Sequence, residues 1–272
     1  MVMPFSLQAL AMLLPGYIRV GGLHVPVYGL FAAMGLVAAL WLSQRTAIRV
    51  GIAPDKLWDA GVFAVVAAFI ASRVLLIAFD LHSFLKFPLL MMALPSLTYT
   101  GMFLTGLMVW VWLRWKRLPM LDVLDAWAPC AALLAAVFSL GHFFEGTDAG
   151  MPTTLPWGVV TPGDTVLGRV HPVQIYAAII AFALCAMLFR KLLQRKFAGE
   201  IAAFAMMLGG AAAFLLVMLR QPVESDGDAL LDPNQFAAVA AILAGTFLWM
   251  TAKQERRETY SAALEPQQRE LV

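Results

Sequence analysis

Long apolar runs separated by short polar stretches dominate the chain. A bilayer core about 30 Å thick requires about 20 apolar residues in each helix that crosses it. Seven segments approach or reach that length, at residues 27–43, 57–79, 97–113, 122–140, 171–189, 201–219 and 235–252. The pattern predicts an all-α integral membrane protein with seven transmembrane helices.

Two apolar stretches do not fit a simple span. Between Lys86 and Arg114 lie 27 uncharged residues, with Pro88 and Pro95 in the first half. Such a stretch is too long for one straight helix, so we expect a re-entrant piece before the third span. Residues 5–14 are apolar but too short to cross, which favours an interfacial helix.

The basic residues orient the spans. Fourteen of the nineteen Lys and Arg residues follow the first, third, fifth and seventh spans. The positive-inside rule places that side in the cytoplasm, and therefore predicts an external amino terminus and a cytoplasmic carboxyl terminus. We expect one membrane domain over residues 1–252, with an outer loop at 141–170, and a cytoplasmic, loosely ordered polar tail at 253–272.

The composition excludes several classes of protein. Hydrophobic residues make up 61% of the chain and charged residues 13%, whereas soluble domains have about 45–50% and about 25%. A net charge of +2 and two cysteines argue against a nucleic-acid binder and a disulfide scaffold. Cys130 and Cys185 fall within spans and are expected to pack there. The seventh span has no lysine for a retinal Schiff base.

A basic residue lies inside the second span. Arg73 is six residues, or about 9 Å, from its outer end. A charge at that depth is costly, so it usually faces the bundle interior and serves function. The alternative is a side chain that extends outward to the interface. A guanidinium that faces inward suits a phosphate, because it donates two parallel hydrogen bonds.

Polar groups also gather where the fourth span leaves the membrane, in residues 139–150. His142 and Glu145 are three residues apart and share a face if the helix continues. A histidine beside a carboxylate suits a general base and the group that orients it. A solvated helix end that is terminated by glycines explains the same pattern.

The fifth span begins at the motif His171-Pro-Val-Gln-Ile-Tyr176. Proline near the start of the apolar run indicates a helix start. His171 and Gln174 can share a face, either as a polar cap or as part of a binding site. At the end of the sixth span, Arg220 is either an interfacial anchor or a ligand-binding residue.

Taken in order, these pieces resemble one family, the bacterial prolipoprotein diacylglyceryl transferases, over roughly residues 15–250. The matching pieces are Val27-Tyr28-Gly29, Arg73, Asp125-Ala-Trp-Ala-Pro129, Leu140-Gly141-x-Phe143-x-x-Gly146 with Gly150, Pro152-Thr-Thr-Leu-Pro-Trp-Gly-Val159, His171-Pro-x-Gln174-x-Tyr176 and Arg220-Gln-Pro222.

The resemblance implies a reaction and its partners. Family members transfer the diacylglyceryl group of phosphatidylglycerol to the lipobox cysteine of a prolipoprotein, through a thioether, and glycerol-1-phosphate leaves. The implied partners are phosphatidylglycerol or a similar anionic phospholipid, membrane lipid and prolipoprotein signal peptides, without nucleic acid. The implied location is the bacterial inner (cytoplasmic) membrane, as a multi-pass protein with a periplasmic active face. No metal and no cofactor are implied.

The chain departs from the family pattern at several charged positions. Ser139 and His142 stand where the family signature has Arg and Asn, and Thr147 stands where it has an acidic residue. Ala213 and Val217 align with an Arg and a Glu of the sixth helix. Three interpretations stay open: a rebuilt catalytic set, a transferase with a different acceptor, and an inactive phospholipid-binding homologue.

The residues expected to carry the reaction follow from these patterns and from the resemblance. We expect His142 to act as the base and Glu145 to orient it, with Tyr99 as the third catalytic residue. Arg73 and Arg220 are expected to hold the anionic headgroup. The remaining substrate-binding residues are expected to be Tyr28, Gly141, His171, Gln174 and Tyr176.

Overall fold

The computed structural model describes residues 17–20, 23–79, 86, 98–147, 150–160, 168–221 and 232–269; side chains are described between residues 26 and 256 of these ranges. Seven helices and four short strands lie within them. The helices are α1 (Val27–Val50), α2 (Pro54–Phe79), α3 (Tyr99–Trp115), α4 (Met120–Glu145), α5 (Val173–Leu192), α6 (Glu200–Val217) and α7 (Pro233–Arg269); the strands are β1 (Tyr17–Val20), β2 (Leu23–Pro26), β3 (Val159–Val160) and β4 (Arg169–Val170).

Six of the described helices are long and apolar enough to cross a membrane: α1, α2, α4, α5, α6 and the Pro233–Arg256 part of α7. The remaining helix, α3, has 17 residues and extends about 26 Å, somewhat less than a bilayer core. The prediction of an all-helical integral membrane protein is therefore confirmed, and the predicted third span is the shortest of the described helices. The expected re-entrant piece at 87–97 and the interfacial helix at 5–14 lie outside the described residues.

Large apolar side chains are exposed along these helices. Trp41 of α1, Phe103 of α3 and Phe247 of α7 each expose more than half of their surface. A water-soluble protein rarely exposes so many large apolar groups on every side of its helices. A lipid environment accounts for them, because acyl chains solvate apolar surface.

The apolar pattern placed the helices correctly but not all of their ends. α1 continues seven residues past the predicted end at residue 43 and stops before Gly51, whose φ is 79°. The hydroxyl of Ser43 donates to the Leu40 carbonyl at 2.6 Å, and that of Thr46 donates to the Ser43 carbonyl at 3.0 Å. These polar side chains are satisfied by their own helix, so they do not end it.

The polar tail differs from the expectation. The backbone of α7 stays helical from Pro233 to Arg269, so the expected loose order after Ala252 is wrong for residues 253–269. This stretch contains three Glu, three Gln, three Arg and two Ala residues, which are among the residues with high helix propensity. A helix that already exists at Ala252 adds further turns without a new nucleation cost.

Two antiparallel hairpins were not predicted. β1 pairs with β2, from Tyr17 opposite Pro26 to Val20 opposite Leu23, and the hairpin leads directly into α1. β3 pairs with β4, with Val159 opposite Val170. Strands of two to four residues are too short for an alternating pattern to be recognised in the sequence.

The chain forms two compact units, Met1–Ala39 with Leu124–Val272 and Leu40–Val123. The first unit contains the start of α1, most of α4, and α5, α6 and α7. Within it, α6 and α7 approach closely at glycines. A Cβ at Gly210 would lie 2.7 Å from the Ala238 carbonyl oxygen, and one at Gly245 would lie 2.8 Å from the Ala203 carbonyl oxygen.

In the second unit α2 packs on α3, and the ring centroids of the stacked Phe63 and Trp112 side chains are 5.1 Å apart.

A buried carboxylate ties α4 to the start of α6. The side chain of Asp125 is fully buried, and it accepts hydrogen bonds from the backbone N–H groups of Gly199 and Ala202, both at 2.8 Å. The guanidinium of Arg195 donates to it at 3.0 Å. Asp125 therefore satisfies N–H groups that a helix start leaves open and neutralises a cation from the preceding turn.

A second acidic residue completes this network. Glu200, the first residue of α6, is buried, and its carboxylate accepts the backbone N–H of Lys196 at 2.7 Å. It also forms an ion pair with Lys191 of α5 at 3.5 Å. The network joins α4, α5 and α6 at the end of the first unit that carries the basic residues after α5.

Candidate functional site

The opposite end of the first unit brings together most of the sequence motifs. α1 and α5 begin at this end, and α4 and α6 stop there. Five polar or aromatic residues, which we call the His142 cluster, form a connected set of contacts. They are Tyr28, His142, Glu145, Thr147 and Gln174.

The end of α4 shapes this cluster. The helix continues through Glu145, five residues beyond the predicted span, and Gly146 then adopts a φ of 78°. The N–H groups of Gly146 and Thr147 both donate to the His142 carbonyl, at 3.0 and 3.2 Å. Such a left-handed glycine is a common helix ending, and it folds the next residue back over the last turn. Thr147 therefore returns to the side chain of His142.

Three side chains form a chain of contacts at this turn. His142 Nδ1 lies 2.9 Å from Thr147 Oγ1, and the Thr147 hydroxyl donates to Glu145 Oε2 at 3.4 Å. The direct distance from His142 Nδ1 to Glu145 Oε2 is 3.9 Å, which is too long for a hydrogen bond. The predicted common face of His142 and Glu145 is present, but the threonine hydroxyl lies between the two groups.

Tyr28 covers one side of the histidine. The ring centroids of Tyr28 and His142 are 4.5 Å apart, with 36° between the ring planes. A Cβ at Gly141 would lie 3.0 Å from both Tyr28 Cδ2 and Phe31 Cβ. The missing side chain at Gly141 therefore lets α1 come close enough to α4 for Tyr28 to reach His142.

Gln174 connects α5 to the cluster. Its side chain is buried, and its Nε2 donates to the backbone carbonyl of Thr147. α5 begins at Val173 after Pro172, and no side chain caps its first N–H groups. The interpretation of His171 and Gln174 as a helix cap is therefore wrong. Both lie at the predicted helix start, but Gln174 instead holds the turn after α4.

A bridge around Gly150 places His171 and Arg220. Gly150 pairs with Arg220 in an antiparallel bridge, and the Met151 N–H donates to the Leu219 carbonyl at 2.9 Å. The His171 N–H donates to the Met151 carbonyl at 3.0 Å. The backbone of residues 150 and 151 thus joins the segment after α6 to the segment before α5. Within the described part of the chain, the buried Nδ1 of His171 has no hydrogen-bond partner.

Tyr176 fixes the loop after the bridge. The indole Nε1 of Trp157 donates to the Tyr176 hydroxyl at 2.7 Å. The rings of Tyr176 and His171 have centroids 6.3 Å apart. Tyr176 therefore contacts the loop through Trp157 and lies beside His171, so it belongs to the same end of the unit.

Two predicted site residues belong to the second unit. Arg73 is 9% exposed, and its Cζ lies 4.8 Å from the centre of the Phe69 ring. This burial does not fit the alternative in which the side chain extends outward. Tyr99 is exposed and is the first residue of α3, where the Thr98 hydroxyl accepts the Gly101 N–H at 3.2 Å.

The family model for prolipoprotein diacylglyceryl transferase matches residues 15–251 of the chain. The chain belongs to this family. A protein of Clostridium tetani named phosphatidylglycerol–prolipoprotein diacylglyceryl transferase is 24% identical over 233 residues, which cover 84% of this chain and 93% of that protein. Proteins with the same name from Gloeobacter violaceus and Parasynechococcus marenigrum are 26% identical over 258 residues and 30% identical over 194 residues. These matches cover 90% and 65% of this chain, and 95% and 68% of the respective relatives.

Two departures from the family pattern lie in direct contact. His142 and Thr147, which stand where the resemblance gives Asn and an acidic residue, are the pair joined at 2.9 Å. Ser139 donates its hydroxyl to the Ala135 carbonyl of its own helix at 2.8 Å. The two substitutions at 142 and 147 thus form a hydrogen-bonded unit of their own.

Sequence reasoning did not assign a site role to Thr147 or Trp157. The signal for Thr147 was the glycine before it, because a left-handed Gly146 returns the next residue to the helix end. Trp157 lies in the matching segment 152–159, but nothing in that segment indicated its contact with Tyr176, which is 19 residues away. Across the residues described, no three His, Cys, Asp or Glu side chains are grouped so that they could hold a metal ion.

Proposed function

We propose that this protein transfers the diacylglyceryl group of phosphatidylglycerol to the lipobox cysteine of prolipoproteins. The reaction takes place at the periplasmic face of the bacterial inner membrane. Membership of the transferase family over residues 15–251 is the observation that carries this proposal. The polar residues gathered at one end of a set of apolar helices support it, because a lipid headgroup and a peptide thiol both arrive at a membrane surface.

The proposed topology has seven spans, an external amino terminus and a cytoplasmic carboxyl terminus. In α5 the family motif around Gln174 lies at the first turn, and Arg190 and Lys191 lie at the last turn. Twenty helical residues separate these ends by about 30 Å, which is the thickness of a bilayer core. The positive-inside rule then assigns the basic end to the cytoplasm and the His142 cluster to the periplasmic side.

The proposed chemistry is a nucleophilic displacement at carbon. His142 accepts the proton of the cysteine thiol, and the thiolate attacks the carbon of the diacylglycerol moiety that carries the phosphate. A C–S bond forms and the C–O bond breaks. Glycerol-1-phosphate leaves with the electron pair and takes the proton from the imidazolium. Glu145 balances the positive charge that His142 carries between the two proton transfers.

Cationic and polar groups bind the lipid headgroup in this proposal. Arg220 donates hydrogen bonds to the phosphate and stabilises the charge that grows on it during C–O cleavage. Tyr28, Gly141, His171, Gln174 and Tyr176 form the polar surroundings of the headgroup. We also propose Arg73 as a second phosphate ligand and Tyr99 as a catalytic residue. Both residues belong to the second unit, and their roles are supported by the sequence alone.

The test uses purified full-length protein in vesicles of phosphatidylglycerol, with a synthetic lipobox peptide as the acceptor. We expect the peptide to gain a diacylglyceryl thioether and glycerol phosphate to appear in equal amount. His142→Ala should lower kcat about 100-fold or more, as expected for loss of a general base. Arg220→Gln should raise KM for lipid and lower kcat, whereas Arg169→Gln, at an exposed position on β4, is the matched control.

Other outcomes separate the alternatives. Glycerol phosphate release that requires a different acceptor would identify a related transferase. Lipid that stays bound without release would identify a binding protein. Growth of cells depleted of their own transferase, after expression of this chain, would support the proposed reaction in vivo.

A further inference from the structure

The geometry points to a positioning role for Thr147: its hydroxyl keeps the proton of neutral His142 on Nδ1, so that Nε2 is the basic atom. The use of Nε2 to deprotonate a thiol rests on the proposed function. The choice of tautomer does not, because it follows from the contacts of the His142 cluster alone.

The direction of the hydrogen bonds sets the tautomer. A threonine hydroxyl has one proton to donate, and an ionised carboxylate can only accept. Thr147 donates that proton to Glu145 Oε2 at 3.4 Å, so toward His142 its oxygen can only accept. The contact at 2.9 Å therefore requires a proton on His142 Nδ1. Neutral imidazole has one ring proton, which leaves the lone pair on Nε2.

The backbone holds Thr147 in place from two sides. Its N–H donates to the His142 carbonyl at 3.2 Å, and its own carbonyl accepts the side-chain amide of Gln174. The left-handed turn at Gly146 directs the chain into this position. Because these contacts involve no substrate atom, the threonine hydroxyl is oriented before substrate binds.

Tyr28 restricts the orientation of the His142 ring. Its ring centroid lies 4.5 Å from that of His142, and Gly141 lets α1 approach to that distance. Contact with the tilted Tyr28 ring and the hydrogen bond at Nδ1 together restrict rotation of the imidazole. A base that is restrained in this way loses less entropy when it meets the thiol.

The same contacts stabilise the protonated form. When Nε2 receives the thiol proton, the imidazolium keeps its Nδ1–H bond to Thr147, and Thr147 keeps its bond to Glu145. The Glu145 carboxylate interacts favourably with the cation through the hydroxyl. Glu145 thus acts on His142 through Thr147, in the manner in which a carboxylate orients the histidine of other acid–base pairs.

The test compares Thr147→Val, which keeps the shape and removes the hydroxyl, with Thr147→Ser, which keeps the hydroxyl. We expect Val to lower kcat about tenfold with little change in KM, as for the loss of one oriented hydrogen bond, and Ser to retain most of the activity. Thr251→Val is the matched control, because the hydroxyl of the half-buried Thr251 donates to carbonyls of its own helix.

A second measurement reports the tautomer without any turnover. Nitrogen-15 NMR of histidine-labelled protein in detergent, with His142 assigned through His142→Gln, distinguishes Nδ1–H from Nε2–H. We expect Nδ1–H in the unmodified protein and in Thr147→Ser, and a loss of that preference in Thr147→Val. Glu145→Gln removes the negative charge without altering Thr147, and it should also weaken the preference for Nδ1–H. This variant replaces Thr147→Val in the test if the valine variant does not fold.

The two proposals fail in different ways. Absence of transferase activity, together with the expected NMR pattern, would contradict the proposed function and leave the tautomer assignment standing. An Nε2–H tautomer in the unmodified protein, or an Nδ1–H tautomer that persists in both Thr147→Val and Glu145→Gln, would overturn the role of Thr147 even in an active enzyme.

Discussion

At Gly150 the backbone passes so close to His171 that a Cβ atom would overlap the His171 carbonyl oxygen and lie 2.8 Å from Val173 Cγ2. This close approach is what allows the Gly150–Arg220 bridge to form beside the start of α5. The identity of residue 150 therefore controls the position of Arg220, although a glycine has no side chain to contribute to the chemistry.

We predict that Gly150→Ala destabilises the protein by about 1–3 kcal/mol, the usual cost of forcing a group into packed space. Transfer activity should also fall at temperatures at which the variant is still folded, because the bridge that positions Arg220 is displaced. Thermal unfolding in detergent and the transfer assay measure the two effects. Gly106→Ala is the control: a Cβ there meets nothing within 4 Å, and alanine in a helix should stabilise by about 0.5–1 kcal/mol. Equal melting temperatures for both variants would contradict the argument.

Single residues of the candidate site were indicated by the sequence to different degrees. His142, Glu145, Gln174 and Tyr176 stood in motifs, so their types and spacing indicated them before the fold was known. The sequence marked Thr147 only as a departure from the family pattern, because its contact with His142 depends on the φ of Gly146, which is a property of the turn.

At the level of elements, the helices were predictable because burying apolar residues in lipid is a large effect that accumulates along a segment. Their ends were not, because ends depend on local contacts of smaller energy. α4 passes its predicted end by five residues and stops at the positive φ of Gly146. Strands β3 and β4 pair over only two residues each, and no pattern in the sequence indicates this pairing.

The contact between α4 and α6 through Asp125 yields a further prediction. Asp125→Asn removes the negative charge beside the half-buried Arg195 and weakens two backbone hydrogen bonds at Gly199 and Ala202. Loss of one partner of a fully buried ion pair costs about 3–5 kcal/mol, and the partial exposure of Arg195 lowers this cost, so the melting temperature should fall by several degrees. Asp59→Asn, at an exposed position in α2, should leave it nearly unchanged. A small effect at Asp125 would show that water reaches this network.

At the scale of the whole molecule, the basic residues and the transferase motifs predict opposite compartments for the two ends of α5. We expect a fluorescent protein that matures only in the cytoplasm to be bright when fused after Val272. Alkaline phosphatase, which is active only in the periplasm, should be inactive at the same position. The reverse pattern would place the His142 cluster on the cytoplasmic side and contradict the proposed site of reaction.

The long last helix has a mechanical consequence. α7 has 37 residues and extends about 56 Å, of which the 13 residues after Arg256 form about 20 Å. A continuous helix transmits rotation and tilt along its length, unlike a flexible linker. A fluorophore attached near Arg269 would therefore depolarise slowly, with the motion of the embedded protein, and would report the inclination of this rod to the bilayer plane.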